Sequence, residues 1–245
     1  MAIGLSSFGI VWRAHVFEKN CRHNMEKVAI KVIQLDAFSK HHQMDDLRKE
    51  INIISKCNHP NVLKYYVSFL NGKELWLVMP FIEGGSLRNI INTLTPQGIK
   101  DEPMIASILK QIVEGLQYFH SKGLIHRDVK SDNILVSSNG GVMIGDFGVS
   151  SSIKTGYKRN SFVGSPCWMA PEVIEQTDGY DTQADVWSFG ITAMELVDGH
   201  PPNDNIPAVK VLVNVLNGPT PGLSQYEDWS PEFRAMMEDC LQKDP

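Results

Sequence analysis

The segment His126-Arg127-Asp128-Val129-Lys130-Ser131-Asp132-Asn133 is followed, thirteen residues after Asn133, by Asp146-Phe147-Gly148. Asp128 is placed to accept a hydroxyl proton, and Lys130 can neutralise a phosphate. Asn133 and Asp146 carry oxygen atoms of the kind that magnesium prefers. Phosphoryl transfer needs mainly position and charge, because its transition state spreads negative charge over oxygens that metals and cations hold in line. The segment therefore predicts phosphoryl transfer.

Composition sets the class of protein. The 245 residues, 42% hydrophobic and 21% charged, are typical of a globular chain of one domain or two lobes. A net charge of −5 gives no basic surface for nucleic acid, so none is expected as a partner. Neither a signal peptide nor an apolar run of membrane-spanning length is visible, so no membrane insertion is expected. Four widely spaced cysteines indicate a reduced, cytoplasmic setting: Cys21, Cys57, Cys167 and Cys240.

A glycine-containing loop lies at the start of the chain. The pattern G-x-G-x-x-G-x-V, a loop between two strands that covers ATP phosphates, is met at Gly4, Gly9 and Val11. Ser6 stands at the second glycine, where its Cβ restricts φ and close approach. A plain turn-rich hairpin is the alternative interpretation.

A lysine follows on a predicted strand. Val28-Ala29-Ile30-Lys31 alternates as a strand and ends on a cation that could bind ATP phosphates. Apolar residues recur at helical spacing from Gln43 to Lys56, and Glu50 borders that stripe. We therefore predict a Lys31–Glu50 ion pair, with Glu26 or Glu74 as alternative partners.

The next segments predict strands and a hinge. Residues 61–68 and 74–79 read as two strands joined by an Asn71-Gly72 turn. The run 75–79 is apolar enough to predict burial on both faces. The composition change at residues 80–85 predicts a hinge in which Pro80 keeps a carbonyl for adenine. Met79 would lie behind the adenine or simply belong to the core.

The larger part of the chain reads as mainly helical. Asp101 begins a helix that Gly123 ends, and residues 134–136 and 142–144 form a short hairpin. The helix from Asp185 to about Val197 is apolar almost all round, which predicts full burial. Asp185 would accept hydrogen bonds from the catalytic-loop backbone or cap its helix. Two amphipathic helices are predicted at 209–216 and 232–241.

Residues 149–169 predict a functional loop, because a 21-residue stretch of this kind is unusual in a compact domain. Arg127 could pair with a phosphate on this loop. Ser161 is the preferred phosphorylation site, and Ser165 is expected to bond Asp128 and Lys130. Competing phosphorylation sites are Ser150, Ser151, Ser152 and Thr155.

These motifs together resemble the eukaryotic serine/threonine protein kinases over essentially the whole chain. The stretch Phe162–Glu172 (F-V-G-S-P-C-W-M-A-P-E) resembles the sterile-twenty-like kinases. Gly179-Tyr180-Asp181, residues 207–212 and residues 240–245 are similar to the Fray-type branch, the oxidative-stress-responsive and proline/alanine-rich kinases. The resemblance implies ATP and Mg²⁺ as cofactors, serine- or threonine-containing protein substrates, an upstream kinase acting at Ser161, and a role in stress or ion-transport signalling.

The resemblance also implies an α+β, two-lobed fold, with an N-lobe over 1–80, a hinge over 81–84 and a C-lobe over 85–245. It assigns catalysis to Asp128, Lys130, Lys31 and Glu50, the metal to Asn133 and Asp146, and regulation to Ser161, Arg127 and Ser165. It places ATP contacts at Ile3, Gly4, Leu5, Ser6, Ser7, Phe8, Gly9, Val11, Ala29, Lys31, Met79, Pro80, Ile82 and Leu135.

The chain departs from the family at several positions. Family members carry glycine where this chain has Ser6, and threonine where it has Ser161 and Ser165. The family's first strand begins earlier, and the arginine partner of Glu172 lies beyond Pro245, so truncation at both ends is expected. A pseudokinase acting as an allosteric scaffold is the alternative function, although every motif acid and the lysine are present. A bacterial-type small-molecule phosphotransferase would not need the loop at 149–169.

Overall fold

The computed structural model describes residues 1–6, 9–16, 26–35, 51–52, 54–146, 165–175, 181–221 and 228–244. A five-stranded antiparallel sheet has the order β1-β2-β3-β5-β4, and a two-stranded sheet pairs β6 with β7. The strands are β1 Ala2–Ser6, β2 Gly9–Val16, β3 Glu26–Gln34, β4 Val67–Asn71, β5 Glu74–Pro80, β6 Ile134–Val136 and β7 Val142–Ile144. The predicted α+β fold is confirmed.

Six α-helices follow β5 in the described part of the chain. They are α1 Leu87–Leu94, α2 Glu102–His120, α3 Pro171–Glu175, α4 Gln183–Asp198, α5 Ala208–Asn217 and α6 Pro231–Cys240, with 3₁₀ turns at Ser131–Asn133 and Pro166–Trp168. Asp101 caps α2 by accepting a hydrogen bond from Met104 N at 3.0 Å. Gly199 ends α4 with a φ of 83°, the left-handed conformation that glycine adopts readily. Within the described residues, no helix combines the length and hydropathy needed to cross a membrane.

The larger sheet buries one face more completely than the other. Leu75, Leu77 and Met79 are buried, whereas Trp76 and Val78, which alternate with them, are half-exposed on the other face. The prediction that residues 75–79 are covered on both sides is therefore wrong. A strand of an antiparallel sheet can place apolar side chains on its outer face, and composition alone does not reveal this.

The predicted strand 61–68 is correct only at its end. β4 begins at Val67, and Tyr66 N already donates to Val78 O of β5, but residues 61–63 run beside β7 instead. Leu63 N donates to Ile144 O at 2.8 Å, and Ile144 N donates to Asn61 O at 2.9 Å. The turn after β4 has Gly72 and Lys73 at its centre, one residue later than predicted, and Gly72 has a φ of 61°. These hydrogen bonds attach the strand-connecting segment to the helical part of the fold.

The central helix α4 is buried as predicted. Every residue from Ala184 to Val197 is buried except the partly exposed Val186. α2 packs nearby, and a Cβ on Gly115 would lie 2.6 Å from Asn61 O, so only glycine permits this approach. The two helices form the support on which the loop 126–133 rests.

Candidate active site

The β6–β7 hairpin brings the two predicted metal ligands to one end of a small sheet. Ile134 pairs with Ile144, and Gly145 N donates to Asn133 O at 2.8 Å. Asp146, the next residue, has a φ of 57°, a left-handed conformation that non-glycine residues rarely adopt. Asn133 and Asp146 are thus neighbours in space although thirteen residues separate them in sequence.

Lys31 reaches the same place from the larger sheet. Its Nζ atom contacts Asp146 Oδ1. The Lys31 side chain is only 3% exposed, and a buried ammonium group requires an anionic partner. Asp146 supplies that partner, so β3 and the segment after β7 close the site from two sides.

Asp128 is held by three neighbouring side chains. Lys130 Nζ donates to both of its carboxylate oxygens, at 3.0 and 2.8 Å. Asn133 Nδ2 donates to Asp128 Oδ2 at 2.8 Å and to Asp128 O at 2.7 Å. Ser165 Oγ accepts from Lys130 Nζ at 2.6 Å and donates to Asp128 Oδ1 at 3.4 Å. The carboxylate of Asp128 therefore has a defined orientation within a cluster of hydrogen-bond donors.

The backbone of the loop before Asp128 is fixed by a carboxylate of α4. Asp185, 0% exposed, accepts from His126 N and Arg127 N, both at 2.8 Å, and its Oδ2 lies 2.7 Å from His120 Nε2. Burial alone would raise the pKa of Asp185, but these hydrogen bonds and the adjacent His126 outweigh it, so the pKa lies below its usual value. Arg127 has a φ of 70°, and the two backbone bonds hold it there. Asp185 thus orients the loop, and Thr182 occupies the N-cap position of α4.

One face of the larger sheet carries the residues expected to surround ATP. The strand register aligns Val11 with Lys31 and Ala29 with Met79, so these four side chains share a face. Gly9 lies close to β3, where a Cβ would be 1.8 Å from Val32 O.

The remaining expected ATP contacts are distributed around this face. Pro80 pairs with Val28 at the end of β5, Ile82 and Leu135 are partly buried against the core, and Ile3 on β1 is 41% exposed. The structure describes Gly4, Leu5 and Ser6 only as part of β1.

The residues present fit a divalent cation. The amide nitrogen of Asn133 donates to Asp128, which leaves the amide oxygen as the atom that can bind a cation. Asp146 supplies carboxylate oxygens, and hard oxygen ligands suit Mg²⁺, which is commonly shared with substrate phosphates. Lys31, beside Asp146, is a suitable cation for those phosphates.

Four predicted site residues lie outside the described residues: Glu50, Ser7, Phe8 and Ser161. The Lys31–Glu50 ion pair therefore stays a prediction. Glu74, an alternative partner for Lys31, is excluded because it lies on the opposite face of the sheet and accepts from Gln34 Nε2 at 2.7 Å and Trp76 Nε1 at 2.9 Å. The side chain of Glu26, the other alternative, also lies outside the described part of the structure.

Sequence reasoning missed Glu195, a fully buried acid of α4 that bonds Ser131 and Arg88. Burial raises the pKa of Glu195, although the Ser131 hydroxyl and the Arg88 charge act in the opposite direction. The sequence does contain a sign of this role, because Glu195 is the one ionisable residue between Asp185 and Asp198 in a largely apolar segment. A buried acid on such a helix needs a partner.

The side chains predicted to act in catalysis and metal binding, Lys31, Asp128, Asn133 and Asp146, thus form one connected cluster, as expected for a protein kinase domain. The family model described as "Protein kinase domain" matches residues 2–245, and the chain belongs to this family. Several curated relatives are serine/threonine-protein kinases. The chain is 46% identical over 99% of its length to the serine/threonine-protein kinase fray2 of Dictyostelium discoideum and 42% identical over 98% to germinal center kinase 3 of Caenorhabditis elegans.

The chain spans 23% and 44% of the lengths of those two relatives. It also covers 74% of the serine/threonine-protein kinase ppk11 of Schizosaccharomyces pombe, with 40% identity over 99% of this chain. The expected similarity to Fray-type kinases of the sterile-twenty-like group is confirmed by these relatives.

Proposed function

We propose that this chain transfers the terminal phosphoryl group of ATP to serine or threonine hydroxyls of protein substrates. The observation that carries the proposal is one connected cluster: Lys130 and Asn133 hold Asp128, Gly145 N donates to Asn133 O, and the next residue, Asp146, contacts Lys31. The serine/threonine kinases among the relatives support the same activity.

Each of the clustered side chains has a role in this reaction. Magnesium-bound ATP supplies the transferable phosphoryl group and a charge-neutralising cation. Asp128 accepts the proton of the substrate hydroxyl at a carboxylate oxygen, and Lys130 stabilises the negative charge that develops beside it. Lys31 orients the phosphates, while Asn133 and Asp146 hold the cation.

Ser165 supports a preference for serine and threonine substrates. Its hydroxyl bridges Lys130 and Asp128 at the place where a substrate hydroxyl must reach the base. It therefore helps to define how an alcohol group approaches Asp128. The neighbouring 3₁₀ turn Pro166–Trp168 is attached to α4, because Ser188 Oγ donates to Trp168 O at 2.8 Å.

Regulation is proposed to act through phosphorylation of Ser161 by an upstream kinase. Arg127 directly precedes Asp128 and is anchored through its backbone to Asp185, so a phosphate bound by Arg127 would be close to the catalytic base. The variant Ser161→Ala should keep its melting temperature and lose activation by the upstream kinase, whereas Ser151→Ala should behave like the parent chain. Full activation of Ser161→Ala would exclude this site as the switch.

The Fray-type similarity supports a role in stress or ion-transport signalling in the cytoplasm. A pseudokinase scaffold is the alternative, and the complete set of Lys31, Asp128, Asn133 and Asp146 argues against it. The decisive measurement is transfer of radiolabelled phosphate from ATP to a generic basic protein. Transfer by the parent chain and by Asp181→Asn, with loss in Asp146→Asn, is expected. Absence of transfer after upstream activation would favour the scaffold.

A further inference from the structure

We infer that Glu195 is a positioning residue for phosphoryl transfer: through Ser131 it orients the turn Ser131–Asn133, and Arg88 compensates its charge. The kinetic part of this inference rests on the proposed function, whereas the structural part does not. Glu195 lies on α4, Ser131 begins the 3₁₀ turn that follows Lys130, and Arg88 lies on α1. Three separate elements therefore meet at one buried carboxylate.

Both oxygens of the Glu195 carboxylate are engaged. Ser131 Oγ donates to Oε1 at 2.5 Å, and Ser131 N donates to Oε2 at 3.3 Å. Arg88 Nη1 donates to Oε1 at 3.0 Å and to Gly199 O at 3.2 Å. Glu195 and Ser131 are each 0% exposed, so water does not compete for the bonds between them, whereas the Arg88 side chain is 26% exposed. The contacts define one position for Ser131.

The turn Ser131–Asn133 needs such an external anchor. It is a single 3₁₀ turn, and turns of this length are not stable by themselves. Lys130 and Asn133, the residues on either side of Ser131-Asp132, both donate to Asp128. A shift of Ser131 would therefore move both partners of the proposed general base, and one of them, Asn133, is also a proposed metal ligand.

The charged pair is a poor source of stability, which favours a positioning role. Burying the Glu195 carboxylate costs desolvation energy that its attraction to Arg88, whose side chain is 26% exposed, roughly offsets, so the pair contributes little net stability. By contrast, the bonds from Glu195 to Ser131 have directional geometry, which apolar packing would not supply. A displacement of about 1 Å at catalytic groups can reduce rates on the order of 100-fold.

The first test is amide hydrogen exchange on the whole chain. In Glu195→Gln and Ser131→Ala, the amides of residues 131–133 and of Gly145 should exchange at least about tenfold faster than in the parent. Thr192→Val is the matched control. Thr192 is buried one turn before Glu195 on α4 and donates only within its helix, to Ser188 O at 2.8 Å. The control should leave exchange at residues 131–133 unchanged.

The second test is steady-state kinetics. Both variants should lower kcat about 10- to 100-fold, with KM for ATP and for a peptide substrate within about twofold of the parent. The double variant Ser131→Ala/Glu195→Gln should be no slower than the slower single variant, because the two residues act through one contact. Thr192→Val should retain the parent kcat.

Several results would overturn the inference: parent-like exchange at residues 131–133 in Glu195→Gln, a kcat loss in Thr192→Val as large as in Glu195→Gln, or additive losses in the double variant. A rise in peptide KM alone would instead assign Glu195 to substrate binding. A parent chain that binds ATP but transfers no phosphate would refute the proposed function. In that case the exchange comparison would still decide whether Glu195 orients the turn.

Discussion

Replacement of Asp185 by asparagine should destabilise the fold strongly although the two side chains have the same shape. In the structure, Oδ1 accepts from Arg127 N, while Oδ2 accepts from His126 N and faces His120 Nε2. An asparagine has one acceptor oxygen and one amide group. Whichever way it turns, its NH₂ group must face at least one backbone N–H, and the negative charge beside His120 is lost.

The expected loss in the free energy of unfolding follows from these contacts. A hydrogen bond to a charged group contributes about 1.5–3 kcal/mol, and a buried donor left unsatisfied costs about 1–3 kcal/mol. The expected loss in the free energy of unfolding is therefore about 3–5 kcal/mol. For a chain of this size that corresponds to a decrease in melting temperature of about 6–20 °C. Arg127, with its φ of 70°, should lose its constraint, so phosphate transfer should fall as well.

The assay is thermal unfolding of the parent, Asp185→Asn and Asp181→Asn. Asp181 is an exposed acid at the start of the same helix and accepts from Gln183 N at 2.8 Å, so its variant controls for loss of a charge there. Asp181→Asn should shift the melting temperature by only a few degrees, because Asp181 is exposed and asparagine keeps an acceptor oxygen for Gln183 N. Because the folded-state pKa of Asp185 is depressed, its contribution is present above its ordinary pKa and is lost as the pH falls through the folded-state value. Equal shifts in the two variants would refute the reasoning.

Three further predictions concern single sites. Ser165→Ala should lower kcat about 10- to 150-fold by removing a hydrogen bond to a charged group, whereas Ser165→Thr should retain most activity in the same kinase assay. Glu172→Gln should raise the melting temperature at neutral pH, because burial raises the pKa of Glu172 and disfavours its charged form. The gain should vanish below about pH 4.5, where Glu172 is protonated in both the folded and the unfolded state. A gain in melting temperature that does not depend on pH would contradict this. Gly115→Ala should cost about 1–3 kcal/mol in urea unfolding despite better helix propensity, because the new Cβ would meet Asn61 O; an unchanged midpoint would show that the segment adjusts freely.

The sequence predicted those helices and strands whose start, end and buried face are all marked by nearby residues. The helix Glu102–His120 combines an acidic cap, a proline in its first turn and a regular apolar face, and each of these is a property of a few consecutive residues. The β6–β7 hairpin and the buried helix Gln183–Asp198 follow in the same way. For these elements, the capping residues and the spacing of apolar side chains are enough to predict the type and approximate bounds of the element.

The segment from Asn61 to Tyr66 shows where local pattern fails. Its apolar residues suggest a strand beside β5, yet only Tyr66 N, at the end of the segment, donates to β5, whereas Asn61 O and Leu63 N bond Ile144 of β7, far along the chain. On the outer face of β5, Trp76 and Val78 are apolar, which predicts burial, yet both are partly exposed. Exposure depends on which element covers a face, and that element can come from any part of the chain.

At the active site, the motif residues Lys31, Asp128, Asn133 and Asp146 are named by the sequence alone, since each requires a particular functional group. Only the tertiary structure decides their partners: that Lys31 contacts Asp146, that Ser165 bridges Lys130 and Asp128, and that Glu195 reaches Ser131 from α4. A side chain's chemistry is local, whereas a hydrogen bond between distant segments depends on the packing of the whole fold.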